Sequence, residues 1–229
     1  MKVDILEFVD GAEKARGLTV IIDVFRAFSV TCYLIDMGAE RIIPVEKITQ
    51  AFKLKQENPD IILLGERHEK KVDGFDFGNS PSEFIGYDLT GKSIVHTTSA
   101  GTKGLTKAVK ASEIITGSFV NVKAIIQYIL RKKPEKVSLV AMGYKAEITA
   151  DEDILCAQYI KNELEGKPND FEEMKTIIKK GTGKRFFNPA NTKHSPPADF
   201  DLCLYINKFS FVLKAEKNNN CIELKPIYL

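Results

Sequence analysis

Short β-branched runs alternate along this chain with longer segments whose apolar residues recur every three or four positions. The short runs predict strands at 18–22, 41–45, 60–64, 92–96, 112–116 and 136–140. The longer segments predict helices at 27–37, 47–58, 122–132 and 152–164. Alternating strands and helices are typical of βαβ units. The pattern therefore predicts an α/β fold, with a mainly parallel sheet and helices on both faces.

The C-terminal part of the chain has a different pattern. Residues 171–180 predict one more helix, and residues 181–200 are rich in the residues that favour loops. From residue 201 onward, apolar and polar residues alternate between polar turns, as in antiparallel strands. We expect residues 1–229 to form a single α/β domain with a C-terminal antiparallel extension.

Composition and charge narrow the possible functions. The 33 basic and 31 acidic residues give a net charge of +2, and neither sign forms a long block, so we expect no nucleic-acid partner. The four cysteines are widely spread without a C-x-x-C pair, which argues against disulfides and a zinc site. The chain has no apolar leader-like run at its start and no run of membrane-spanning length. We therefore expect a cytoplasmic protein with no membrane partner.

Polar side chains follow several of the predicted strands. Ligands of open α/β sheets bind beyond the carboxyl ends of the strands, so these positions are candidate site residues. They include Asp23, Arg26, Glu66, Arg67, the segment Thr97–Gly104, Asn121 and the acids Asp151, Glu152 and Asp153. Carboxylates, guanidinium groups and hydroxyls in this arrangement suit the binding of anions and metal ions.

The segment Thr97–Gly104 (TTSAGTKG) offers hydroxyl groups, glycine-freed backbone N–H groups and a lysine. Such a segment can hold a phosphate-like anion, or it can simply cap the next helix. It is not a Walker A loop, because G-x-x-x-x-G-K-[ST] is absent from the chain.

Asp23 and Arg26 place an acid and a guanidinium group three residues apart after a strand. The two side chains can contact one bound group, or they can form an ion pair at the start of the next helix. Arg67, beside Glu66 after another strand, favours the first alternative, since two arginines can bind one phosphate, carboxylate or sulfonate.

The acids Asp151, Glu152 and Asp153 also allow two interpretations. They can offset the dipole at a helix start, with Thr149 and Glu152 as a capping box. One or two of them can instead join Asp23 as oxygen ligands of Mg²⁺.

The segment Gly74–Phe84 (GFDFGNSPSEF) divides into two halves. Its second half predicts a helix start, with Ser80 as N-cap, Pro81 at the first position and Glu83 completing a capping box. Its first half, with Asp76 between two phenylalanines, has no comparable structural explanation.

Several hydrolase classes are excluded by missing motifs. No cysteine is followed six positions later by arginine, and neither G-x-S-x-G nor H-E-x-x-H occurs. Phe25 stands where a haloacid-dehalogenase nucleophile would have its second acid, and the three histidines share no metal-ligand spacing.

Taken together, the motifs resemble those of the 2-phosphosulfolactate phosphatase family. They are DVFRAFS (23–29), GER (65–67), GFDFGNSPSEF (74–84), TTSAGTKGL (97–105), GSFVN (117–121) and DEDILCA (151–157). The resemblance implies a family-specific α/β fold and a Mg²⁺-dependent phosphatase. It further implies that the substrate is the small anion (R)-2-phospho-3-sulfolactate, that the products are 3-sulfolactate and phosphate, and that the protein serves sulfonate metabolism such as the coenzyme M route.

The resemblance also implies a set of site residues. They are Asp23, Arg26, Glu66, Arg67, Asp76, Asn79, Ser80, Thr97, Thr98, Ser99, Gly101, Asn121, Glu152 and Asp153. We expect Asp23 with Glu152 or Asp153 to bind Mg²⁺, which would polarise a phosphoryl oxygen, and the arginines with the Thr98–Ser99 loop to bind the anionic groups. Asp23, Arg26, Asp76 and Asp153 are the expected catalytic residues.

Asp76 is the expected general acid, because apolar neighbours such as Phe75 and Phe77 would raise its pKa. Water attack and an aspartyl-phosphate on Asp23 both remain open. Arg185 is either a further anion contact or a solvated surface residue.

Two alternative functions remain. One is a non-catalytic binding protein for a sulfonated or phosphorylated metabolite, and the other is a phosphatase for a different phosphorylated 2-hydroxy acid. A homodimer is the default expectation for the assembly.

Overall fold

The computed structural model describes residues 1–218 and 221–229. In these ranges the strands are β1 (Lys2–Glu7), β2 (Gly17–Ile22), β3 (Arg41–Pro44), β4 (Ile62–Arg67), β5 (Lys70–Lys71), β6 (Ser93–Thr97), β7 (Ala111–Gly117), β8 (Lys136–Ala141), β9 (Phe211–Asn218) and β10 (Cys221–Tyr228). The helices are α1 (Phe8–Lys14), α2 (Ala27–Asp36), α3 (Ile48–Glu57), α4 (Gly101–Lys107), α5 (Val122–Lys132), α6 (Asp151–Leu164), α7 (Phe171–Lys180) and α8 (Pro197–Cys203). Short 3-10 helices occupy Pro81–Phe84, Phe119–Asn121, Thr182–Phe187 and Pro189–Asn191.

The strands form one sheet in the order β1-β8-β2-β7-β9-β10-β3-β6-β4-β5. Neighbouring strands are parallel from β1 to β7 and again from β3 to β4. The C-terminal hairpin, β9 with β10, lies between these two parallel halves and is antiparallel to both neighbours. The predicted α/β fold with a mainly parallel sheet and C-terminal antiparallel strands is confirmed, and the antiparallel strands are at the sheet centre.

Apolar side chains cover both faces of the sheet. Within β2, Val20 and Ile22 belong to a cluster formed with α5, α6 and α8, whereas Ile21 belongs to a cluster formed with α1, α2 and α4. Because successive side chains of a strand point to opposite faces, a strand covered on both sides needs an uninterrupted apolar run. The sequence of β2 has that run, and all three side chains are fully buried.

All six strands and all five helices predicted from periodicity are present, with ends that differ by a few residues. The structure adds β1 and α1 at the N-terminus, the short β5, and α8. Helix α8 begins in the segment predicted as a loop and ends at Cys203, and the first C-terminal strand begins only at Phe211, so the prediction of strands from residue 201 onward is wrong for residues 201–210. The seven residues of α8 begin with Pro197, and Phe200 and Cys203 are buried. Prolines are also frequent in loops, and seven residues are too few to show a helical period, so the sequence pattern of α8 resembles that of a loop. No helix in the described ranges is long and apolar enough to cross a membrane.

The first predicted capping box does not form. The Ser80 hydroxyl donates a hydrogen bond to Asp199 Oδ1 (2.8 Å), and Glu83 accepts one from the backbone N–H of Gly78 (2.9 Å). The segment that follows is a 3-10 helix, Pro81–Phe84, without a side-chain cap. Ser80 is therefore used in a long-range contact.

The second predicted capping box is also absent. Helix α6 has Ala150 at its N-cap, and the hydroxyl of Thr149 donates instead to Glu7 Oε2 (2.8 Å). The Glu152 carboxylate contacts the hydroxyl of Thr182. Tertiary contacts therefore replace the local cap that the sequence pattern indicated.

Gly65 in β4 should tolerate no side chain. A Cβ atom at this position would lie 2.1 Å from the backbone carbonyl oxygen of Thr97, which is fixed in the neighbouring strand β6. We predict that Gly65→Ala lowers the free energy of unfolding by about 4 kcal/mol, measured by chemical denaturation. The control is Gly91→Ala, where φ is +70° and the space is open, with an expected cost of only about 1 kcal/mol. Equal losses in the two variants would contradict this account.

Candidate active site

A pocket lies where the carboxyl end of β2 meets the segments that follow β4, β6 and β8. Its walls carry charges of both signs. The acidic residues are Asp23, Glu66 and Glu69, and the basic ones are Arg26, Lys145 and Arg185. His68, Asn79, Thr98 and Ser99 also line it. The structure thus brings together six of the predicted site residues, namely Asp23, Arg26, Glu66, Asn79, Thr98 and Ser99.

Asp23 is buried at the pocket wall and is held by two backbone N–H groups. Its Oδ1 accepts a hydrogen bond from Ala27 (3.1 Å) and its Oδ2 accepts one from Gly101 (2.8 Å). Burial, followed by the charges of Glu66 and Glu152, raises the pKa of Asp23 to about 7. Two backbone bonds therefore position a carboxyl group whose ionised form is destabilised, and a bound cation would favour that ionised form.

Asp153 lies behind the pocket. Its Oδ1 accepts a hydrogen bond from the backbone N–H of Val24 and its Oδ2 accepts one from Gly143, each at 2.8 Å. Burial, and next the charge of Asp23, raises the pKa of Asp153 well above its ordinary value. Asp153 does not line the pocket. Its two hydrogen bonds instead fix the backbone at Val24 and at Gly143.

Glu66 is fixed by the segment that follows β6. Its Oε1 accepts a hydrogen bond from the backbone N–H of Ser99 (2.7 Å), and its Oε2 accepts bonds from the Ser99 hydroxyl (3.2 Å) and the Glu69 backbone (2.9 Å). The donors that the sequence suggested for a bound anion, at Ser99 and Gly101, are therefore directed at carboxylates. This segment holds the acids of the pocket in place.

Arg26 reaches the pocket as half of a buried ion pair. Its Nη1 lies 2.7 Å from Asp199 Oδ2, and neither side chain is more than 5% exposed. The other Asp199 oxygen accepts hydrogen bonds from the Ser80 hydroxyl (2.8 Å) and the Ser82 backbone (3.1 Å). Asp199 was not predicted, because it lies in α8, within the segment that the sequence predicted to be a loop; its only local signal is an acid in the first helical turn after two prolines.

Arg185 lines the pocket and is therefore not a solvated surface residue. Its Nη1 lies 3.2 Å from Glu69 Oε1, and its Nη2 lies 3.3 Å from the carbonyl oxygen of Phe25 and 3.9 Å from Glu152 Oε1. The segment Lys184–Pro197 thus contributes one cation to the site.

Glu152 and its neighbour Asp151 hold the segment after α7. Asp151 Oδ2 accepts a hydrogen bond from the backbone N–H of Thr182 (3.0 Å), and Glu152 contacts the hydroxyl of the same residue. Burial raises the pKa of Glu152, although Arg185 lowers it. Glu152 does not line the pocket, so the structure does not place it beside Asp23 as a pocket-facing metal ligand.

Arg67 does not converge with Arg26 on the pocket. Its guanidinium group donates to the carbonyl oxygens of Glu46 and Glu66, each at 2.7 Å, and to the Thr97 hydroxyl at 2.8 Å. Arg67 and Thr97 therefore fix the end of β4 against β6, and neither lines the pocket.

Asp76 is turned away from the pocket. Its side chain is 42% exposed, and its Oδ2 accepts a hydrogen bond from the backbone N–H of Leu63 (2.8 Å) and lies 3.5 Å from Lys55 Nζ. The rings of Phe75 and Phe77 pack elsewhere, against Phe52 and against Phe84 and Tyr87. The apolar surroundings expected for a general acid are absent, so we do not retain that role for Asp76.

Asn121 is also outside the pocket. It is buried, and its Nδ2 donates a hydrogen bond to the carbonyl oxygen of Phe211 (3.2 Å), at the start of β9. This contact fixes the central hairpin to the segment after β7. Ser80, as shown above, acts through Asp199.

Asn79 lines the pocket and is oriented by a buried histidine. His96 Nε2 lies 3.0 Å from Asn79 Oδ1. Burial, and next the charge of Arg67, lowers the pKa of His96 to about 3, so the imidazole is neutral at ordinary pH. With its proton on Nε2 the imidazole donates to Asn79 Oδ1, which leaves the amide nitrogen as a donor for the site.

The described residues contain no group of three or more histidine, cysteine, aspartate or glutamate side chains arranged to bind a metal ion. The pocket does hold two buried, hydrogen-bonded carboxylates, Asp23 and Glu66. Mg²⁺ is commonly bound by one or two carboxylates together with waters and substrate phosphate oxygens. The donor set therefore fits Mg²⁺ as a partly hydrated ion.

The low pKa of His96 makes the protein sensitive to acid. Below about pH 6.5 the unfolded chain binds a proton at this position, whereas the folded protein binds none until about pH 3. Stability from this source is complete above pH 6.5 and is lost as the pH falls toward 3. We predict that the free energy of unfolding of the wild type falls by about 2 kcal/mol more between pH 7 and pH 5 than that of His96→Gln does. Chemical denaturation at the two pH values measures this difference. Parallel pH profiles for the two proteins would contradict it.

Breaking the ion pair between Arg26 and Asp199 should be costly. Asp199→Asn leaves a buried guanidinium group without its counter-charge, and we predict a loss of about 3 kcal/mol in the free energy of unfolding. Asp201→Asn on the same helix is the control: its carboxylate is 71% exposed, and the expected loss is below about 1 kcal/mol. Similar losses at both positions would show that Asp199 is not a buried partner.

Comparisons with known proteins show the family to which the chain belongs. The family model described as 2-phosphosulpholactate phosphatase matches residues 5–218. Three similar proteins, each named probable 2-phosphosulfolactate phosphatase, come from Clostridium perfringens strain SM101, Caldicellulosiruptor saccharolyticus and Carboxydothermus hydrogenoformans. Their identities to this chain are 34%, 37% and 40%; the alignments cover 72%, 74% and 70% of this chain and 68%, 72% and 66% of the relatives. The chain therefore belongs to the 2-phosphosulfolactate phosphatase family, a family of phosphoric monoester hydrolases.

Proposed function

We propose that this protein hydrolyses (R)-2-phospho-3-sulfolactate to 3-sulfolactate and inorganic phosphate, and that the reaction depends on Mg²⁺. The observation that carries the proposal is the pocket in which Asp23 and Glu66 face Arg26, Lys145 and Arg185. A substrate with phosphate, sulfonate and carboxylate groups on three carbons needs several separate cations. The names of the relatives, each a probable 2-phosphosulfolactate phosphatase, support this choice of substrate.

Asp23 and Glu66 would hold the metal ion. Both are buried in the pocket wall, and the charge of Glu66 contributes to the raised pKa of Asp23, so the two carboxylates are close enough to repel each other when both are ionised. The phosphoryl group, itself a dianion, would be repelled by these acids unless a cation neutralised them. Mg²⁺ would polarise a phosphoryl oxygen and orient water when bound. Glu66 thus takes the place that the sequence gave to Glu152 or Asp153.

Arg26 and Asn79 would bind the phosphoryl oxygens beside the acids. Asp199 fixes the Arg26 guanidinium group, and His96 fixes the Asn79 amide, so these donors are oriented before substrate arrives. Pre-orientation of this kind stabilises charge in the transition state without a cost of reorganisation.

We also propose attack by water and not by Asp23. Both Asp23 oxygens already accept backbone hydrogen bonds, which lowers their nucleophilicity and holds the carboxylate in one orientation. These properties suit a metal ligand better than a group that must form a covalent bond to phosphorus.

The proposal extends to a cytoplasmic location, a small anionic substrate, and a place in sulfonate metabolism such as the route to coenzyme M. The four cysteines are free in the structure, and free thiols are typical of proteins in a reducing compartment. A homodimer remains an expectation from the general frequency of such assemblies.

The test is phosphate release from racemic 2-phospho-3-sulfolactate by the purified protein, with Mg²⁺ and with excess chelator. We expect release that requires Mg²⁺ and stops near half conversion, because one enantiomer is the substrate. Asp23→Asn and Glu66→Gln should each lower kcat/KM by about 100-fold or more, since each removes a charged metal ligand. The exposed Asp60→Asn is the control and should retain wild-type activity.

Binding of 3-sulfolactate without phosphate release under any condition would contradict the proposal and would indicate a receptor. Faster release from 2-phospholactate or phosphoglycerate would indicate a phosphatase for another 2-hydroxy acid.

A further inference from the structure

Two turns at the pocket carry non-glycine residues with positive φ at both central positions. His68 (φ 54°) and Glu69 (φ 66°) connect β4 to β5. The residues on either side of them, Arg67 in β4 and Lys70 in β5, are paired. Lys145 (φ 58°) and Ala146 (φ 61°) form a second turn after β8, in which the backbone N–H of Glu147 donates to Tyr144 O at 3.2 Å. Positive φ at both central residues is the pattern of a type I′ turn, which normally requires glycine or asparagine.

Backbone strain of this kind persists where the surrounding structure requires it, and it is frequent at functional sites. Both turns line the same pocket, the first through His68 and Glu69 and the second through Tyr144 and Lys145. In the first turn Glu69 holds the Arg185 guanidinium group at 3.2 Å. The strained residues therefore position charges at the pocket.

The ring of Tyr144 brings two of these charges together. Lys145 Nζ lies 5.3 Å from the centroid of that ring, and Arg185 Cζ lies 5.9 Å from it. Both side chains line the pocket, so two cations meet at one aromatic ring in its wall.

Within the part of the chain that the structure describes, two of the three basic side chains of the pocket have carboxylate partners, and the third has none. Arg26 is paired with Asp199, and Arg185 is paired with Glu69 and Glu152. Lys145 forms no salt bridge with any residue in the ranges 1–218 and 221–229. Its side chain is only partly exposed, and its charge is available to a ligand.

We propose that Lys145 and Arg185 form a second anion subsite of the pocket, which binds the sulfonate group of the substrate. This inference rests on the proposed function, in which the phosphoryl group lies at Asp23, Glu66 and Arg26. The sulfonate is carried by the neighbouring carbon and needs its own cations. An ammonium group is a compact point charge, and together with a guanidinium fork it suits a group with three equivalent oxygens.

The subsite would determine specificity for the sulfonate. A pocket with a cation placed for one anionic group discriminates against a substrate that lacks the group, because the bound substrate then leaves the cation without an anionic partner. The structure therefore assigns discrimination between 2-phospho-3-sulfolactate and 2-phospholactate, which has a hydrogen in place of the sulfonate, chiefly to Lys145.

The test compares kcat/KM for these two substrates in the wild type and in Lys145→Gln. We expect the ratio of the two values to fall by 10-fold or more in the variant, because only the sulfonated substrate loses a contact. Lys145→Arg keeps the charge and should keep most of the ratio, and the exposed Lys110→Gln, outside the pocket, should leave it unchanged. An unchanged ratio in Lys145→Gln, or an equal loss for both substrates, would overturn the subsite.

Calorimetric titration separates this inference from the proposed function. We expect Lys145→Gln to bind the product 3-sulfolactate at least 10-fold more weakly than the wild type does, while lactate binds both proteins alike. Failure of the wild type to release phosphate would contradict the proposed function, yet this loss of 3-sulfolactate affinity would still support the subsite. Equal 3-sulfolactate affinity in both proteins would overturn it.

Lys145→Asn gives a second readout, because asparagine adopts positive φ more readily than lysine does. We expect the melting temperature to rise by a few degrees while the substrate ratio falls as in Lys145→Gln. A variant that keeps the wild-type ratio would overturn the role of Lys145.

Discussion

The arrangement of the site depends on the hydrogen bonds that the buried Asp23 carboxylate accepts. Its two oxygens accept backbone hydrogen bonds from the first residue of α2, Ala27, and from the first residue of α4, Gly101. Helix α2 follows β2 in one parallel half of the sheet, and α4 follows β6 in the other. One carboxylate therefore connects the two halves at the place where the pocket opens. An ion at this position is costly to bury, and the two N–H donors offset part of that cost.

The same principle applies to the neighbouring acids and bases. Asp153 bonds to the backbone on two sides of the pocket, and Glu66 holds the segment after β6. Arg26 is fixed by Asp199 and Arg185 by Glu69. Most charged groups of the site are thus held by partners inside the protein, which keeps them oriented and limits their motion. Lys145 is the exception, and we assign it to binding the sulfonate group, which distinguishes the proposed substrate from 2-phospholactate.

Periodicity predicted most helices and strands, because a packed helix repeats its apolar residues every three or four positions and a strand covered on both faces needs a short apolar run. It did not predict that the β9–β10 hairpin lies at the sheet centre, since pairing between distant strands leaves no local pattern. Within the site, Asp23, Arg26, Glu66 and Asn79 were found from strand ends and from the family resemblance. Asp199 was missed because it lies in a short helix within a segment predicted as loop.

Asp76 shows how a local argument can fail. The sequence places it between two phenylalanines, but both rings pack against other aromatic side chains. The Asp76 side chain is instead exposed and accepts a hydrogen bond from the backbone of Leu63. By contrast, Asp23, Glu66 and Asp153 accept hydrogen bonds from backbone N–H groups that are far away in the chain. No local sequence pattern predicts such contacts.

The most direct test of the account is a crystal structure with Mn²⁺ and 3-sulfolactate, in which anomalous scattering locates the metal ion. The account predicts a metal peak about 2.1 Å from oxygens of Asp23 and Glu66. It also predicts that the sulfonate contacts Lys145 and Arg185 beside Tyr144. A metal ion bound by Glu152 and Asp153, or a ligand outside the pocket that Asp23 lines, would contradict the account.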